Sequence, residues 1–288
     1  MLIWQVTEAE NQMILRDFLR EKIGLSRAMV KTLKFDGGQI LVNDELVTVR
    51  KVLTAGDQVR LVFPKEIRSP SLTPVKLKLD IIYEDDFIII LNKDANIAVI
   101  PSLGNQEPAI ANGLIYHYDQ QNVDYTVHIV TRLDRDTSGL MLVAKQDYCH
   151  SLLHQKPIER HYMALVHGKL MNHSGTINAP IGRKSESIIE RMVTPEGKQA
   201  ITHYQLIRAY DDYSLVAVQL ETGRTHQIRV HFAHIGHPLA GDQLYGGSVD
   251  LVKRQALHCT KLSFNHPITN ERLQFESNWP EDLNVIEK

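Results

Sequence analysis

The sequence predicts an α+β chain: a mixed sheet of mostly antiparallel strands with flanking helices, preceded by a smaller α+β unit. Three observations predict it. Short apolar runs of strand length recur without the regular strand–helix–strand alternation of a parallel fold. No Gly-rich nucleotide loop joins a strand to a helix. A stretch carrying Pro64, Pro70 and Pro74, with Ser69 and Ser71 between them, makes a poor helix or strand. The expected organisation is a front unit over 1–63, a linker over 64–74 and a larger unit over 75–288.

In the front unit, Ile14, Leu15, Phe18 and Leu19 repeat at helical spacing. Ser26 is a good N-cap for a second helix, which carries Met29, Val30 and Leu33 on one face. Arg27, Lys31 and Lys34 stand at i, i+4 and i+7 and line an opposite stripe. Gly37-Gly38 ends that helix. The runs 40–42 and 46–49 flank Asn43-Asp44-Glu45, a hairpin signal, and Gly56-Asp57 turns into a last strand over 58–63.

In the larger unit, 76–83 and 87–92 read as a hairpin about Glu84-Asp85-Asp86. The runs 140–145, 162–167, 201–206 and 215–220 read as strands. Residues 225–235 read as a helix, with Gly236 at its C-terminal end and Pro238 beyond.

Composition excludes several classes. At 288 residues with 43% hydrophobic content, the chain can bury a core without staples. Cys149 and Cys259 show no metal or redox spacing, which fits a reducing, cytoplasmic compartment. Residues 1–10 lack the basic and apolar regions of a secretory signal, and apolar runs such as 140–144 are too short to span a bilayer. The formal charge of −2 is uneven: between Asn11 and Ser69, eleven Lys/Arg oppose seven acids, leaving about +4 there and about −6 elsewhere.

Four clusters can carry chemistry. The densest is Thr131-Arg132-Leu133-Asp134-Arg135-Asp136-Thr137-Ser138-Gly139, running straight into an apolar strand. Surface ion pairs and a capped turn are its bland readings. The second, Glu221-Thr222-Gly223-Arg224-Thr225-His226-Gln227-Ile228-Arg229-Val230-His231, places arginines and histidines at a helix start. His231, His234 and His237 suggest zinc by spacing, but no clear ligand set with a nearby base accompanies them, and Asp242 is at most an optional ligand. The third is Tyr162-Met163-Ala164-Leu165-Val166-His167-Gly168. The fourth, Gly197 to Tyr204, is most simply a turn and a strand start.

Two resemblances follow from these residues. Ser26-Arg27, Lys31, Gly37-Gly38-Gln39-Ile40-Leu41-Val42-Asn43-Asp44 and Val59 resemble the small RNA-binding domain typified by ribosomal small-subunit protein S-four. There the basic helix touches RNA phosphates, which implies that role for Arg27, Lys31 and Lys34. The larger unit resembles pseudouridine synthases of the RluA type, from about Leu79 to Pro267. The matching pieces are Tyr83-Glu84-Asp85-Asp86 with Asn92-Lys93, Arg132 through Leu140, Tyr162-x-Ala164-x-Val166-x-Gly168, Pro180-Ile181-Gly182-Arg183, Thr222 through His231, and Gly236-His237-Pro238-Leu239-x-Gly241-Asp242. Two departures are plain. Thr131 stands where that family usually has His, and Lys93-Asp94-Ala95-Asn96 stands where it often reads Lys-Pro-x-Gly, with Asn96 able to take the left-handed turn.

The resemblance implies isomerisation of uridine to pseudouridine in structured RNA, most simply large-subunit ribosomal RNA. The reaction neither oxidises nor transfers a group, so no cofactor and no metal are expected. It implies Asp134 as the catalytic carboxylate, which attacks the anomeric carbon or removes the neighbouring sugar proton. Arg229 is expected to hold that carboxylate by a bidentate ion pair. Tyr162 is expected to stack on the base and assist proton transfer from carbon 5. Arg132 is expected to fill the stack left by a flipped base, and Arg224 to contact RNA. Two rivals remain: a non-catalytic RNA-binding or ribosome-assembly protein, and a hydrolase using Asp134 and Asp136 as a carboxylate pair.

Overall fold

The structure, a computed structural model, describes residues 2–101 and 107–285. Its front part comprises β1 (Leu2–Gln5), α1 (Leu15–Asp17) continued by a wider helical turn Phe18–Lys22, α2 (Arg27–Phe35), β2 (Gln39–Val42), β3 (Glu45–Leu46) and β4 (Gln58–Val62). The strands form an antiparallel sheet in the order β1-β4-β2-β3. Ser26 caps α2, its Oγ accepting from the Met29 amide at 3.2 Å. Met29, Val30 and Leu33 are buried on one face, while Arg27, Lys31 and Lys34 are exposed. Asn43 and Asp44 both take left-handed backbone, φ 52° and 67°, giving the two-residue turn whose twist suits a hairpin. The return strand stops at Leu46, short of the expected run to 49. Strand β1 carries no sequence signal of its own; four residues on the edge of β4 show too little periodicity to be read.

Residues 64–74 form no helix or strand, yet they do not hang free. Phe63 stacks on Tyr148 with ring centres 4.1 Å apart. Glu66 accepts from the Asp147 amide at 2.7 Å and sits 2.5 Å from His128. Arg68 donates to the carbonyls of Tyr125 and Val123 at 2.8 and 2.7 Å and pairs with Asp119. These contacts dock the front sheet against the larger part of the chain.

That larger part comprises β5 (Ile81–Glu84), β6 (Ile88–Lys93), α3 (Ile110–Gln120), β7 (His128–Ile129), β8 (Ser138–Ala144), α4 (Asp147–Leu153), β9 (Glu159–His167), β10 (Ser174–Asn178), β11 (Ile181–Arg183), β12 (Arg191–Val193), β13 (Ile201–Ala209), β14 (Tyr213–Leu220), α5 (Gln227–His234), β15 (Leu257–Asn265) and β16 (Arg272–Glu276). Its main sheet runs β10-β13-β14-β9-β15-β8-β6-β5, with β16 beside β15 and β7 beside β8. Among the described residues only the β15–β8 pairing is parallel, so the sheet is mixed and mostly antiparallel, as expected. Among the described residues no helix is long and apolar enough to cross a membrane.

The β8–β15 seam positions the polar loop. All seven residues of β8 are buried. Gly139 has φ 110°, and a Cβ there would lie 2.3 Å from the Cys259 carbonyl oxygen. Only glycine lets β15 approach so closely immediately after residues 134–138. Arg254 donates to the Asp136 carbonyl and to Ser138 Oγ, both at 3.1 Å, while Asp282 holds its Nε at 2.7 Å.

His258, buried on β15, lies 2.8 Å from Ser138 Oγ through Nδ1 and 3.1 Å from Ser277 Oγ through Nε2. Ser277 donates onward to Asn92 at 2.9 Å, so a neutral imidazole that donates at Nε2 and accepts at Nδ1 completes the chain. Burial, aided by the charge of Arg254, pushes His258 down from 6.5 to about 4. The unfolded chain therefore binds more protons than the folded one between those values, and stability falls as pH drops through that window. The expected loss from this residue is up to about 3 kcal/mol. Urea unfolding of His258→Gln between pH 7 and 4 should show a flatter dependence; an unchanged slope would assign it to other groups.

Candidate active site

The loop between β7 and β8 is fixed from several sides. Thr137 donates its amide to the Asp134 carbonyl at 3.2 Å, closing a tight turn. Lys93, buried at the end of β6, gives its ammonium protons to the carbonyls of Asp94, Ile97 and Arg135 at 2.8, 3.0 and 2.9 Å. Burial lowers Lys93 to about 7, with Asp136 and Asp134 opposing the shift. Asn96 does take the left-handed conformation, at φ 64°. Thr131 points into the protein, its Oγ1 accepting from the Leu142 amide at 2.8 Å. At this position the chain thus has a strand buttress that an imidazole would not reproduce in the same way.

Asp134, with a quarter of its side chain exposed, meets Arg229 from α5, whose Nη1 donates to Asp134 Oδ2 at 3.0 Å. The expected bidentate pairing is corrected here. The fork of Arg229 belongs to Asp242, with Nε to Oδ2 at 2.7 Å and Nη2 to Oδ1 at 2.8 Å, and Asp134 receives the single remaining edge. The fully buried Asp242 occupies the side-on fork formed by Nε and Nη2, and Asp134 meets the guanidinium through Nη1 alone. Burial alone would weaken the charge of Arg229, but Asp242 and Asp134 outweigh it and hold the guanidinium above its ordinary value. Asp242 is therefore a partner of Arg229 to which the sequence reading gave no part in this site. Its signal was the Gly236-to-Asp242 motif of the family resemblance; the only individual role weighed for it was that of an optional metal ligand.

Helix α5 starts two residues later than expected because His226 is left-handed, at φ 58°. That conformation, uncommon outside glycine, aims the ring inward: Nδ1 lies 2.8 Å from Tyr245 Oη and Nε2 lies 3.8 Å from Asp134 Oδ2. Tyr245 also accepts from the Arg191 amide at 3.0 Å and lies with its ring centre 5.0 Å from the Arg229 guanidinium. Burial pulls His226 below its ordinary value, against the attraction of Asp134.

Tyr162, on β9, is buried, and desolvation raises its hydroxyl well above the usual tyrosine range. Asp134, Tyr162, Arg229, His226, Arg132 and Arg224 line one cleft of about 930 Å³. Arg132 is exposed there and has no ion pair or hydrogen bond among the described residues. Arg224, also exposed, donates Nε to the Gln199 carbonyl at 3.0 Å. Arg27, Lys31 and Lys34 stay on α2, away from the lining of this cleft. Asp136, unlike Asp134, is not among the residues that line the cleft. His231 is bonded to Thr202 Oγ1 and the Ala179 carbonyl, and no group of three or more possible metal ligands occurs among the described residues.

The chain has named relatives. The sequence model of the family described as RNA pseudouridylate synthase matches residues 87–234. An uncharacterized RNA pseudouridine synthase of Bacillus subtilis (strain 168), YjbO, is 48% identical over 271 residues, covering 93% of this chain and 96% of its own length. The chain belongs to the RNA pseudouridylate synthase family.

As a member of that family it is an isomerase acting on RNA. Ribosomal large subunit pseudouridine synthase D of Haemophilus influenzae is 37% identical over 277 residues, covering 90% of this chain and 85% of its own length. The structure of human RNA Pseudouridylate Synthase Domain Containing 1 superposes with a TM-score of 0.58 at 25% identity, covering 70% of this chain and 83% of that one. The family match contains Asp134, Tyr162 and Arg229 but stops before Asp242 and leaves out the front sheet.

Proposed function

We propose that this RNA pseudouridylate synthase modifies uridine in large-subunit ribosomal RNA, with Asp134 as the reacting carboxylate. The observation that carries the residue assignment is the Asp134–Arg229–Asp242 chain at the floor of the cleft, beside the buried ring of Tyr162. Arg229 holds Asp134 by a charge-assisted hydrogen bond from Nη1 to Oδ2 at 3.0 Å. An ionised carboxylate can attack the anomeric carbon or remove the adjacent sugar proton, and both routes free the base to turn before carbon 5 bonds to the same sugar. Tyr162 offers a flat face for that base. Its raised hydroxyl stays protonated at neutral pH, so it acts by stacking and hydrogen bonding and not as a standing phenolate.

Extruding a paired uridine costs on the order of a few kcal/mol. Arg132, planar and unpartnered at the cleft, is suited to fill the vacated stack. The ribosomal assignment rests on the resemblance of the front unit to the ribosomal-protein RNA-binding domain and on the 37% identical large-subunit relative. Cys149 and Cys259, both free, suit the reducing cytoplasm where that RNA is found. The test is incubation with large-subunit ribosomal RNA and, separately, transfer RNA, followed by site-resolved pseudouridine mapping. Conversion of defined uridines in the ribosomal RNA is expected; conversion confined to transfer RNA would overturn the substrate assignment.

The exposed stripe of α2 gives a separate expectation. Replacing Arg27, Lys31 and Lys34 together by Ala should remove up to three phosphate contacts and reduce the salt slope of RNA binding by about 2 to 3. The rate at saturating RNA should hold, because these side chains do not line the cleft. Binding titrations at several salt concentrations check this, and an unchanged slope would show that α2 does not touch RNA.

A further inference from the structure

Arg160 lies on β9 two residues before Tyr162. Alternation along a strand puts both side chains on one sheet face, and both line the cleft. Arg160 is half-buried, and its Nε is sealed from solvent with no hydrogen-bond partner. No ion pair satisfies the guanidinium among the described residues either. The adjacent carboxylate, Glu159, is taken by Arg272 at 2.7 Å. On the other side, Gly223 leaves room for it: a Cβ there would stand 2.9 Å from Nη1 and 3.1 Å from Nη2.

A cation held in this way, with a buried donor left open, is matched by an acceptor that arrives with the ligand. The strand rise places Arg160 roughly 7 Å along β9 from Tyr162. With a base on the Tyr162 ring and its sugar near Asp134, that offset corresponds to the backbone of the same nucleotide. A planar fork suits two phosphate oxygens. We propose that Arg160 grips the phosphodiester flanking the flipped uridine. The contact forms when the nucleotide enters the cleft, and it holds the backbone in place while the base is detached and turned. This rests on the RNA-modifying reading above and adds to it a substrate-positioning residue.

The experiment uses the full chain and an RNA stem-loop carrying a uridine that the wild type modifies. Single-turnover rates are measured over a range of enzyme concentrations for the wild type, Arg160→Ala and Arg160→Lys. Three RNAs are compared: one unmodified, one with a neutral methylphosphonate 5′ of the target, and one with it 3′. Arg160→Ala should raise the half-saturating concentration about tenfold or more on unmodified RNA, with a much smaller effect on the rate at saturation, and Arg160→Lys should recover part of the loss. One methylphosphonate should impose a comparable loss on the wild type and no further loss on Arg160→Ala. Losses that multiply would overturn the contact. So would a wild type indifferent to both methylphosphonates while Arg160→Ala is impaired, which would move the contact to the base. The wild-type arms do not depend on any variant folding. Full activity of Arg160→Ala would sink this inference alone, whereas a wild type that modifies no RNA would sink the functional reading beneath it.

Discussion

Asp134→Asn should abolish pseudouridine formation while RNA binding stays close to wild type. The amide keeps the shape of the carboxylate but loses the charge that the reaction uses. Arg229 loses one of its hydrogen bonds yet retains both bonds to Asp242, so the floor of the cleft should remain built. Removing a group essential to the chemistry lowers rates by about 10⁴-fold or more in well-studied enzymes. Single-turnover assay by nucleoside analysis, with binding followed in parallel, separates the two effects. A residual rate above about 1% of wild type, far more than such a loss allows, would remove Asp134 from this role. Loss of binding in parallel would show that the variant disturbs the cleft itself.

Asp242→Ala should be almost as damaging, by a different route. Asp242 reaches Asp134 only through Arg229, so it is a positioning residue. Its loss leaves a buried guanidinium with two unpaired donors, at a cost of about 3 to 5 kcal/mol in stability. The arginine freed from its fork no longer fixes Asp134, and a displacement of about 1 Å can cost on the order of 100-fold in rate. The loss should fall on the rate at saturation, with RNA affinity largely kept, because the cleft rim is untouched. Asp242→Asn keeps the shape and should recover part of the stability. Arg229→Met combined with Asp242→Leu should recover more stability without recovering activity, since an apolar pair can replace a buried ion pair but cannot hold a carboxylate. Urea unfolding and single-turnover rates measure both quantities. An active Asp242→Ala would show that Arg229 orients Asp134 unaided.

Several elements were legible because their signals are local. The cap at Ser26, the apolar face of α2 and the Asn43-Asp44 turn each need only a few adjacent residues, and the structure contains all three. The apolar run of β8 announces a buried strand for the same reason. Strand β15 was missed although it lies in the middle of the sheet. Its polar His258, hydrogen-bonded to Ser138 and Ser277, and Ser263, whose hydroxyl has no partner among the described residues, are both buried, so its hydrophobic pattern does not alternate. Helix α3 was missed because its buried residues wrap nearly all round, including Asn112 and Gly113, which blurs the helical period. Helix α5 starts later than the sequence indicates because His226 takes a left-handed turn, with its ring against Tyr245 and near Asp134, contacts that no local signal announces.

By itself the sequence determined the α+β class and marked out the candidates for the chemistry: Asp134, Tyr162, Arg229 and Arg132 lie in short motifs whose order is read along the chain. The tertiary structure decided how they are coupled. It gave the fork of Arg229 to Asp242, turned Thr131 inward, kept Asp136 out of the cleft lining and left Arg160 Nε without a partner among the described residues. The physical reason is that motifs specify which groups are available. Which donor meets which acceptor depends on how separate segments pack: Asp134 and Arg229 are 95 residues apart, and the loop that carries Asp134 leads into β8 where it packs on β15 across Gly139.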